Sequence, residues 1–214
     1  MKNVLCFLVL SLSLGAVSLV RAEAPAGLEE KLAELEAQAA EQPARLILFS
    51  EFRHFPFRKA PIEMEGKLRI WEGRGLSISY PEKRVGIVAD DEGVLMRKYS
   101  NSGDFRQKSA GASQSDTIDL MKAAFAFDVV ALEEAFDMEW QTGSDGWSIA
   151  MTPKDESEGK FERLTVSGKE VTVGKIEMVF AGERRVEIFP KEEIGLNGFS
   201  AEEERLYFRE QVSE

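Results

Sequence analysis

The spacing of apolar residues changes along the chain from a helical period to strict alternation, and this change predicts the secondary structure. Near the N-terminus, Leu28, Leu32 and Leu35 recur three to four residues apart in a charged stretch, so a helix is predicted over about 27–42. Beyond it, apolar and polar residues alternate in short runs separated by turn residues, which is typical of β-strands with one buried face. The ten predicted strands comprise residues 45–57, 64–72, 76–80, 84–89, 94–99, 137–141, 147–152, 161–166, 170–180 and 184–189.

A polar segment and a more apolar one interrupt this series of strands. Residues 100–115 are rich in Ser, Gly and Asn and are predicted to form a loop. Residues 116–136 form a predicted helical insert of two helices, in which Met121 and Phe125 share one face. Such an apolar insert is either a lid over an open sheet or an ordinary packing element.

The last predicted element is a closing helix over about 200–211, where Ser200 and Glu203 have the spacing of a capping box. Ser167 and Gly168 are predicted to form one of the tight turns between strands. Strands joined by tight turns pair in antiparallel fashion, and about ten strands with few helices must curl to bury one face. The sequence therefore predicts a mainly β (α+β) fold, a curved antiparallel sheet that forms an incomplete β-barrel with helices covering its open side.

The first 22 residues are predicted to be a secretory signal peptide outside this fold. Lys2 gives a basic start, an apolar run of about 17 residues follows, and small residues precede a cleavage site after Ala22. A second cleavage position follows Ala24, and an uncleaved membrane anchor is the alternative. Residues 23–214 would then form a single domain in the periplasm, without a stable membrane anchor.

Composition restricts the chemistry open to this chain. Its 214 residues include 27 Lys and Arg, 38 Asp and Glu, one His and one Cys, for a net charge of −11. Cleavage after Ala22 would remove Lys2, Arg21 and Cys6 and no acid, which leaves a charge of −13 and no cysteine. This acidity argues against a nucleic-acid partner, and one His with one Cys cannot form a metal cluster or an intramolecular disulfide. We therefore expect no cofactor and no bound metal.

Sequence motifs for catalysis are also missing. The only His, His54, lies in an alternating strand, and the sequence has no Gly-x-Ser-x-Gly elbow, phosphate-binding loop or His-Glu-x-x-His motif. The acidic run at Asp90, Asp91 and Glu92 lacks the ligand spacing of a calcium loop and is predicted to be a hairpin tip. We expect a protein that is not an enzyme. An exported hydrolase that uses a pair of carboxylates is the less favoured alternative.

Apolar side chains remain as the candidate functional groups. Six methionines follow residue 22, and methionine adapts to ligands of varied shape. On the concave face of a curved sheet, such residues form either the wall of a lipid-binding cavity or a packed core. The candidate cavity residues are Leu68, Ile70, Leu76, Ile78, Met121, Phe125, Met138, Trp140, Ile149, Met151, Met178 and Phe180.

The chain carries a series of short motifs over residues 27–195. The motifs are Phe49-Ser-Glu51-x-Arg53, Gly66-Lys-Leu68-Arg-Ile70, Arg74-Gly-Leu76, Tyr80-Pro81, Val88-Ala-Asp90-x-x-Gly93-Val94, Gly146-Trp147-Ser-Ile-Ala-Met151-x-Pro153 and Ile176-x-Met178-x-x-x-Gly182-Glu183. Their order over this span resembles the LolA-like periplasmic carriers of outer-membrane lipoproteins, and a divergent branch of that family in particular. The chain departs from the family pattern in two places. It lacks the usual Pro after Arg74, and the strand that follows is Leu-Ser-Ile-Ser rather than rich in aromatic residues.

The resemblance implies a periplasmic carrier that holds the acyl chains of a lipoprotein or another acylated lipid in a cavity and passes the cargo toward the outer membrane. It implies membrane donor and acceptor proteins as further partners. It also places Arg74 at the turn where the family has a basic rim residue that helps to set lid closure, although a solvated turn arginine is equally compatible with the sequence. The alternative function on the same fold is a periplasmic protein that senses a lipid or peptide or has a structural role.

Overall fold

A computed structural model of the chain describes residues 27–109, 129–154 and 161–209. The described strands are β1 (Ala44–His54), β2 (Ile62–Trp71), β3 (Gly75–Tyr80), β4 (Val85–Asp90), β5 (Gly93–Tyr99), β6 (Phe105–Ser109), β7 (Phe136–Gly143), β8 (Gly146–Pro153), β9 (Phe161–Lys169), β10 (Thr172–Phe180) and β11 (Arg184–Leu196). The described helices are α1 (Leu28–Ala40), a single 3-10 turn (Pro81–Lys83), α2 (Val129–Ala135) and α3 (Ala201–Tyr207).

All of these strands belong to one antiparallel sheet in the order β6-β5-β4-β3-β2-β1-β11-β10-β9-β8-β7. Two meanders, β1 to β6 and β7 to β11, are joined by pairing of the first strand with the last. That pairing extends from Ala44 opposite Leu196 to His54 opposite Arg185, with one irregularity between Leu48 and Phe49. Within the described residues, the edge strands β6 and β7 do not pair with each other, so the sheet stays open. The predicted mainly β fold with incomplete closure is confirmed.

Several predicted elements are wrong. Strand β1 ends at His54 rather than at residue 57, and β11 continues to Leu196 rather than ending at residue 189. Strand β6 lies in the predicted polar loop, because its exposed residues, including Arg106 and Lys108, form an edge and need no apolar alternation. Strand β9 continues through Gly168, and the turn to β10 begins at Glu170. Phe136 starts β7 instead of ending a helix.

The apolar spacing of α1 and the capping box of α3 agree with the sequence pattern, but α3 ends at Tyr207, with Phe208 extended, so the predicted helix over about 200–211 is too long. In α1, Leu28, Leu32 and Leu35 are buried in the main core. At α3, the Glu203 amide donates to Ser200 Oγ at 3.3 Å and the Ser200 amide donates to the Glu203 carboxylate at 3.1 Å, so the predicted capping box is present. Only residues 129–135 of the helical insert are described as helix. Met121 and Phe125 lie outside the described residues.

The inner face of the sheet carries the apolar core, and α1 packs on it. Strand register places one set of alternating side chains on this face, because Leu68 lies opposite Ile78 and Ile176 lies opposite Ile188. The buried strand residues of this cluster are Ile47, Phe49, Leu68, Leu76, Ile78, Tyr80, Ala89, Val94, Phe136, Trp147, Ile149, Met151, Leu164, Val166, Ile176, Met178 and Ile188.

The outer face of β2 to β5 is covered by the C-terminal segment rather than by solvent. Arg97, only 3% exposed, donates to the carbonyl oxygens of Leu206 at 2.6 Å and Phe208 at 2.8 Å. The guanidinium of Arg69 stacks on the Tyr207 ring at 3.6 Å and donates to Ser79 Oγ at 3.0 Å. The Arg97 hydrogen bonds satisfy carbonyl groups at the end of α3 and just beyond it, which have no partners within the helix. The C-terminal segment is therefore part of the fold.

The hairpin between β7 and β8 offers a test of this backbone geometry. Gly146 has φ +136°, and a Cβ there would lie 2.1 Å from the carbonyl oxygen of Gly168. Gly143, in the same hairpin, has open space around its Cα. We expect Gly146→Ala to lower the free energy of unfolding by about 1–3 kcal/mol and Gly143→Ala to change it by no more than about 1 kcal/mol. Urea denaturation of the two variants checks this, and equal midpoints would contradict the described hairpin.

Candidate functional site

A cavity of about 250 Å³ lies on the inner face at one end of the sheet. It is formed where β1, β3 and β10 end and where β4 and β11 begin. Its lining residues are Glu51, Arg53, His54, Phe55, Ile78, Tyr80, Ile87, Met178, Phe180, Arg184, Arg185, Val186 and Ile188. Aliphatic and aromatic side chains supply most of this wall, and the charged residues are concentrated near the strand ends.

The cavity also shows how strongly the sheet curves. Ile87 in β4 and Met178 in β10 both line it, yet five strand spacings separate these strands in the sheet order. In a flat sheet, five spacings of about 4.8 Å would put them roughly 24 Å apart. Both strands can contact one compact cavity only because the sheet curls and brings its two halves toward each other. The concave face expected from the sequence is present.

A buried carboxylate forms the polar part of the cavity wall. Glu51 is 2% exposed and accepts hydrogen bonds from the Tyr80 hydroxyl and from Nε of Arg53. Burial, and then the Glu51 charge, raise the pKa of Tyr80 well above its usual range. Burial acts to lower the pKa of Arg53, but the charge and hydrogen bond of Glu51 outweigh it and the pKa is raised. Glu51 and Arg53 therefore form an ion pair next to the neutral Tyr80.

This ion pair fixes a cation at the mouth of the cavity. The Arg53 side chain keeps 40% of its surface exposed although its Nε is bound to Glu51. A buried carboxylate without a partner would be costly, so the pairing with Arg53 and Tyr80 is needed for Glu51 to occupy this position. The arrangement suits non-covalent binding of a molecule that has an apolar part and a polar end.

A second polar cluster lies at the same end of the sheet, on β1, β10 and β11. His54 Nε2 lies 2.6 Å from one Glu187 carboxylate oxygen, and Lys175 Nζ lies 2.7 Å from the other. Lys175 also lies 2.7 Å from Glu177. Burial acts to raise the pKa of Glu187, but the hydrogen bonds from Lys175 and His54 outweigh it and the pKa is lowered. The single histidine is thus part of a hydrogen-bonded polar network across three neighbouring strands.

The residues predicted from the sequence to line a cavity fall into three groups. Ile78, Met178 and Phe180 line the described cavity. Met121 and Phe125 lie outside the described residues. The other seven are buried in the core or packed against it, namely Leu68, Ile70, Leu76, Met138, Trp140, Ile149 and Met151. A role for any of these residues toward a lipid stays a prediction.

Sequence reasoning missed the charged lining of the cavity. The sequence indicated no role for Glu51, Arg53 or Tyr80 beyond their places in the family-like motifs. A buried acid in a strand cannot be distinguished from an exposed one by sequence alone. One signal was available: Phe49, Glu51 and Arg53 share strand parity, so a charged residue follows an apolar one on the same face. That parity places the pair on the inner face without identifying Tyr80 as its partner.

Arg74 lies away from this cavity, at the opposite end of the sheet. It follows β2, and its guanidinium binds Glu204 of α3 and donates to the Arg209 carbonyl at 3.2 Å. The same group lies 5.3 Å from the centre of the Trp71 ring. Its side chain is 14% exposed, so it is not a solvated turn arginine. In the described structure, Arg74 fastens the C-terminal segment to the outer side of the sheet.

Two features are absent from the described residues. No group of three or more His, Cys, Asp or Glu side chains in residues 27–109, 129–154 and 161–209 is arranged to hold a metal ion. Over the same ranges, none of the helices is long and apolar enough to cross a membrane.

Comparison with solved structures gives neighbours of low sequence identity. A domain from Vibrio parahaemolyticus, named as an outer membrane lipoprotein-sorting protein, has a TM-score of 0.43 and 10% identity over 82% of this chain and 96% of its own. A DUF1329 family protein from Desulfovibrio piger has a TM-score of 0.45 and 9% identity over 83% and 96%. A LolA superfamily protein from Nitrosomonas europaea has a TM-score of 0.43 and 8% identity over 82% and 96%. No protein-family model and no curated protein sequence matches the chain.

The network at Glu187 predicts a pH dependence of stability. Since the pKa of Glu187 is lowered in the folded state, its carboxylate stabilises the fold above its unfolded pKa near 4.5, and this contribution is lost as the pH falls through the folded value. We expect Glu187→Gln to lower the melting temperature at pH 7 but to have a much smaller effect at pH 3.

The matched control is Glu192→Gln, which changes an exposed acid in the same strand. Melting followed by circular dichroism at both pH values measures the two differences. If the loss caused by Glu187→Gln were the same at pH 7 and pH 3, or no larger than that of the control, the network would not stabilise the fold.

Proposed function

We propose that this protein is a periplasmic carrier that binds an acylated molecule by enclosing part of its acyl chain in the inner-face cavity. The observation that carries the proposal is the cavity itself, which lies between two halves of an open sheet and is walled mainly by side chains such as Ile78, Ile87, Met178 and Ile188. Concave, mostly apolar sites with a few placed polar groups are typical of small-molecule binding. The sequence resemblance to lipoprotein carriers supports the same class of cargo.

The energetics of acyl-chain burial suit such a role. Each buried methylene contributes about 0.8 kcal/mol, so a chain segment of a few carbons gives useful affinity without covalent chemistry. A cavity of about 150 Å³ holds a benzene-sized molecule. The described 250 Å³ therefore suits part of one chain. Cargo with several acyl chains, such as a lipoprotein, would need the open side of the sheet to widen. During transfer toward the outer membrane, an acceptor would compete for the acyl chain, and the sheet would narrow again once the cargo has left.

Filling the cavity tests the proposal. Ile87 is partly buried and lines the cavity, so Ile87→Phe adds an aromatic ring to the space that the ligand would occupy. We expect this variant to bind a fluorescent fatty acid such as cis-parinaric acid at least tenfold more weakly than the unaltered protein, because the ring replaces two or more methylenes of ligand. Fluorescence titration gives the affinities.

The matched control is Ile194→Phe, because Ile194 in β11 is 36% exposed and does not line the cavity. We expect it to bind the probe like the unaltered protein, and melting curves show whether both variants fold. Unchanged binding by a folded Ile87→Phe protein, or no binding by the unaltered protein, would contradict the proposed site.

The proposed location has its own test. When the full chain is expressed in a bacterium with an outer membrane, we expect the periplasmic fraction to contain a protein that begins at Glu23, or at Pro25 if the second site is used. Intact-mass spectrometry of that fraction measures the N-terminus. A chain found only in the cytoplasm with residues 1–22 attached would contradict export.

A further inference from the structure

The β1–β2 loop presents an exposed aromatic side chain at the mouth of the cavity. Phe57 is 81% exposed, the highest value for a large apolar residue among those the structure describes. Its ring lies 5.3 Å from the ring of Phe55, which itself lines the cavity. The Arg58 amide donates to the Phe55 carbonyl at 3.0 Å, so the loop turns at this point and holds Phe57 at its tip. A single exposed apolar side chain is common on protein surfaces, so Phe57 points to a binding role only through the residues around it.

Basic residues surround this tip in an otherwise acidic protein. Residues 53–61 contain Arg53, His54, Arg58 and Lys59 and no acid. The adjoining β10–β11 turn and the start of β11, residues 181–186, add Arg184 and Arg185 against the single acid Glu183. The two segments are neighbours, because His54 lies opposite Arg185 in the sheet and both segments line the cavity. We call residues 53–61 and 181–186 the basic rim.

We propose that the basic rim is a membrane-docking surface that brings the cavity mouth against an anionic lipid bilayer. An exposed aromatic ring next to Arg and Lys is the combination that binds at a membrane interface, where the ring enters the headgroup region and the cations contact anionic lipids. Within the rim, Arg53 pairs with Glu51 and Arg185 lies 3.8 Å from Glu187. Arg58, Lys59 and Arg184 against the single acid Glu183 still give this surface an excess of positive charge, whereas the whole chain carries −11, and this charge complementarity identifies the partner. Exposed charges separated by more than about 8 Å are screened at physiological salt. When the rim touches a bilayer, its own charges therefore contribute more to the electrostatic interaction than the distant acids do.

The surface is suited to weak and reversible contact. One phenylalanine and a few cations bind far less strongly than a lipid anchor or a spanning helix, and the acidic remainder of the protein opposes closer adsorption. A protein that exchanges a ligand with a membrane needs a contact of this kind, with its cavity facing the bilayer. The proposal does not rest on the ligand, because vesicle binding and fatty-acid binding are measured separately.

Cosedimentation with vesicles tests the proposal, using protein purified from cells that express the full chain. Vesicles of phosphatidylcholine alone are compared with vesicles that contain phosphatidylglycerol as well, at physiological salt. We expect binding only to the mixed vesicles. Phe57→Ser should weaken it about tenfold or more, and the double change Arg58→Gln with Lys59→Gln should weaken it by about fivefold for each charge. The matched charge control is Arg106→Gln with Lys108→Gln in the exposed edge strand β6, which should bind normally.

A spectroscopic readout identifies which part of the protein touches the lipid. Phe57→Trp should show a blue-shifted difference emission when mixed vesicles are added, whereas Val171→Trp, at the opposite end of the sheet, should not. The proposal is overturned if the unaltered protein ignores anionic vesicles, if the rim variants bind like the charge control, or if both tryptophan variants respond alike. It is also overturned if Phe57→Ser leaves vesicle binding intact and instead abolishes binding to an acceptor protein.

Discussion

The pairing of the first strand with the last is the interaction on which the rest of this structure depends. Strands β1 and β11 come from opposite ends of the described chain, and they join two meanders that are otherwise built from local hairpins. Without this pairing, Ile78 and Ile87 on one side and Met178 and Ile188 on the other would belong to separate sheets, and no cavity would lie between them. Long-range pairing of this kind is slow to form, because a long loop must close before any contact stabilises it.

That same junction explains the placement of the polar groups. Glu51 lies in β1, which is central in the sheet order, and its carboxylate is buried between the two halves. Its partners come from β1 itself and from β3, through Arg53 and Tyr80. A buried carboxylate without partners would be costly, so the junction holds Glu51 through its contacts with Arg53 and Tyr80. The result is an apolar cavity with one polar wall.

Sequence pattern predicted the local hairpins well because each is set by alternation and a turn. The pattern gave wrong predictions where tertiary packing or an edge position, rather than local alternation, determines the residue type. Gly168 looks like a turn residue, but a Cβ there would lie 2.0 Å from the Thr172 carbonyl oxygen and 2.8 Å from the Trp147 ring. The close approach of β10 and of the β8 tryptophan to β9 therefore requires glycine. Strand β6 was predicted to be part of a loop, because an exposed edge strand can be polar throughout and then shows no alternation. The β1–β11 pairing and the Glu51–Tyr80 contact could not be predicted, since nothing local in the sequence specifies which distant residues meet.

The two walls of the cavity are supported differently, and this difference bears on how a ligand could enter. Strands β3 and β4 are backed on their outer face by the C-terminal segment, which Arg97 and Arg74 fasten through hydrogen bonds to its carbonyls and an ion pair with Glu204. Among the described residues, strands β10 and β11 carry on their outer side the partly exposed network around Glu187. A wall held by buried charge-assisted contacts resists displacement more than one held by ion pairs that water can replace. If the cavity widens, as the proposed carrier function requires for a larger cargo, we expect β10 and β11 to move and β3 and β4 to form the fixed side.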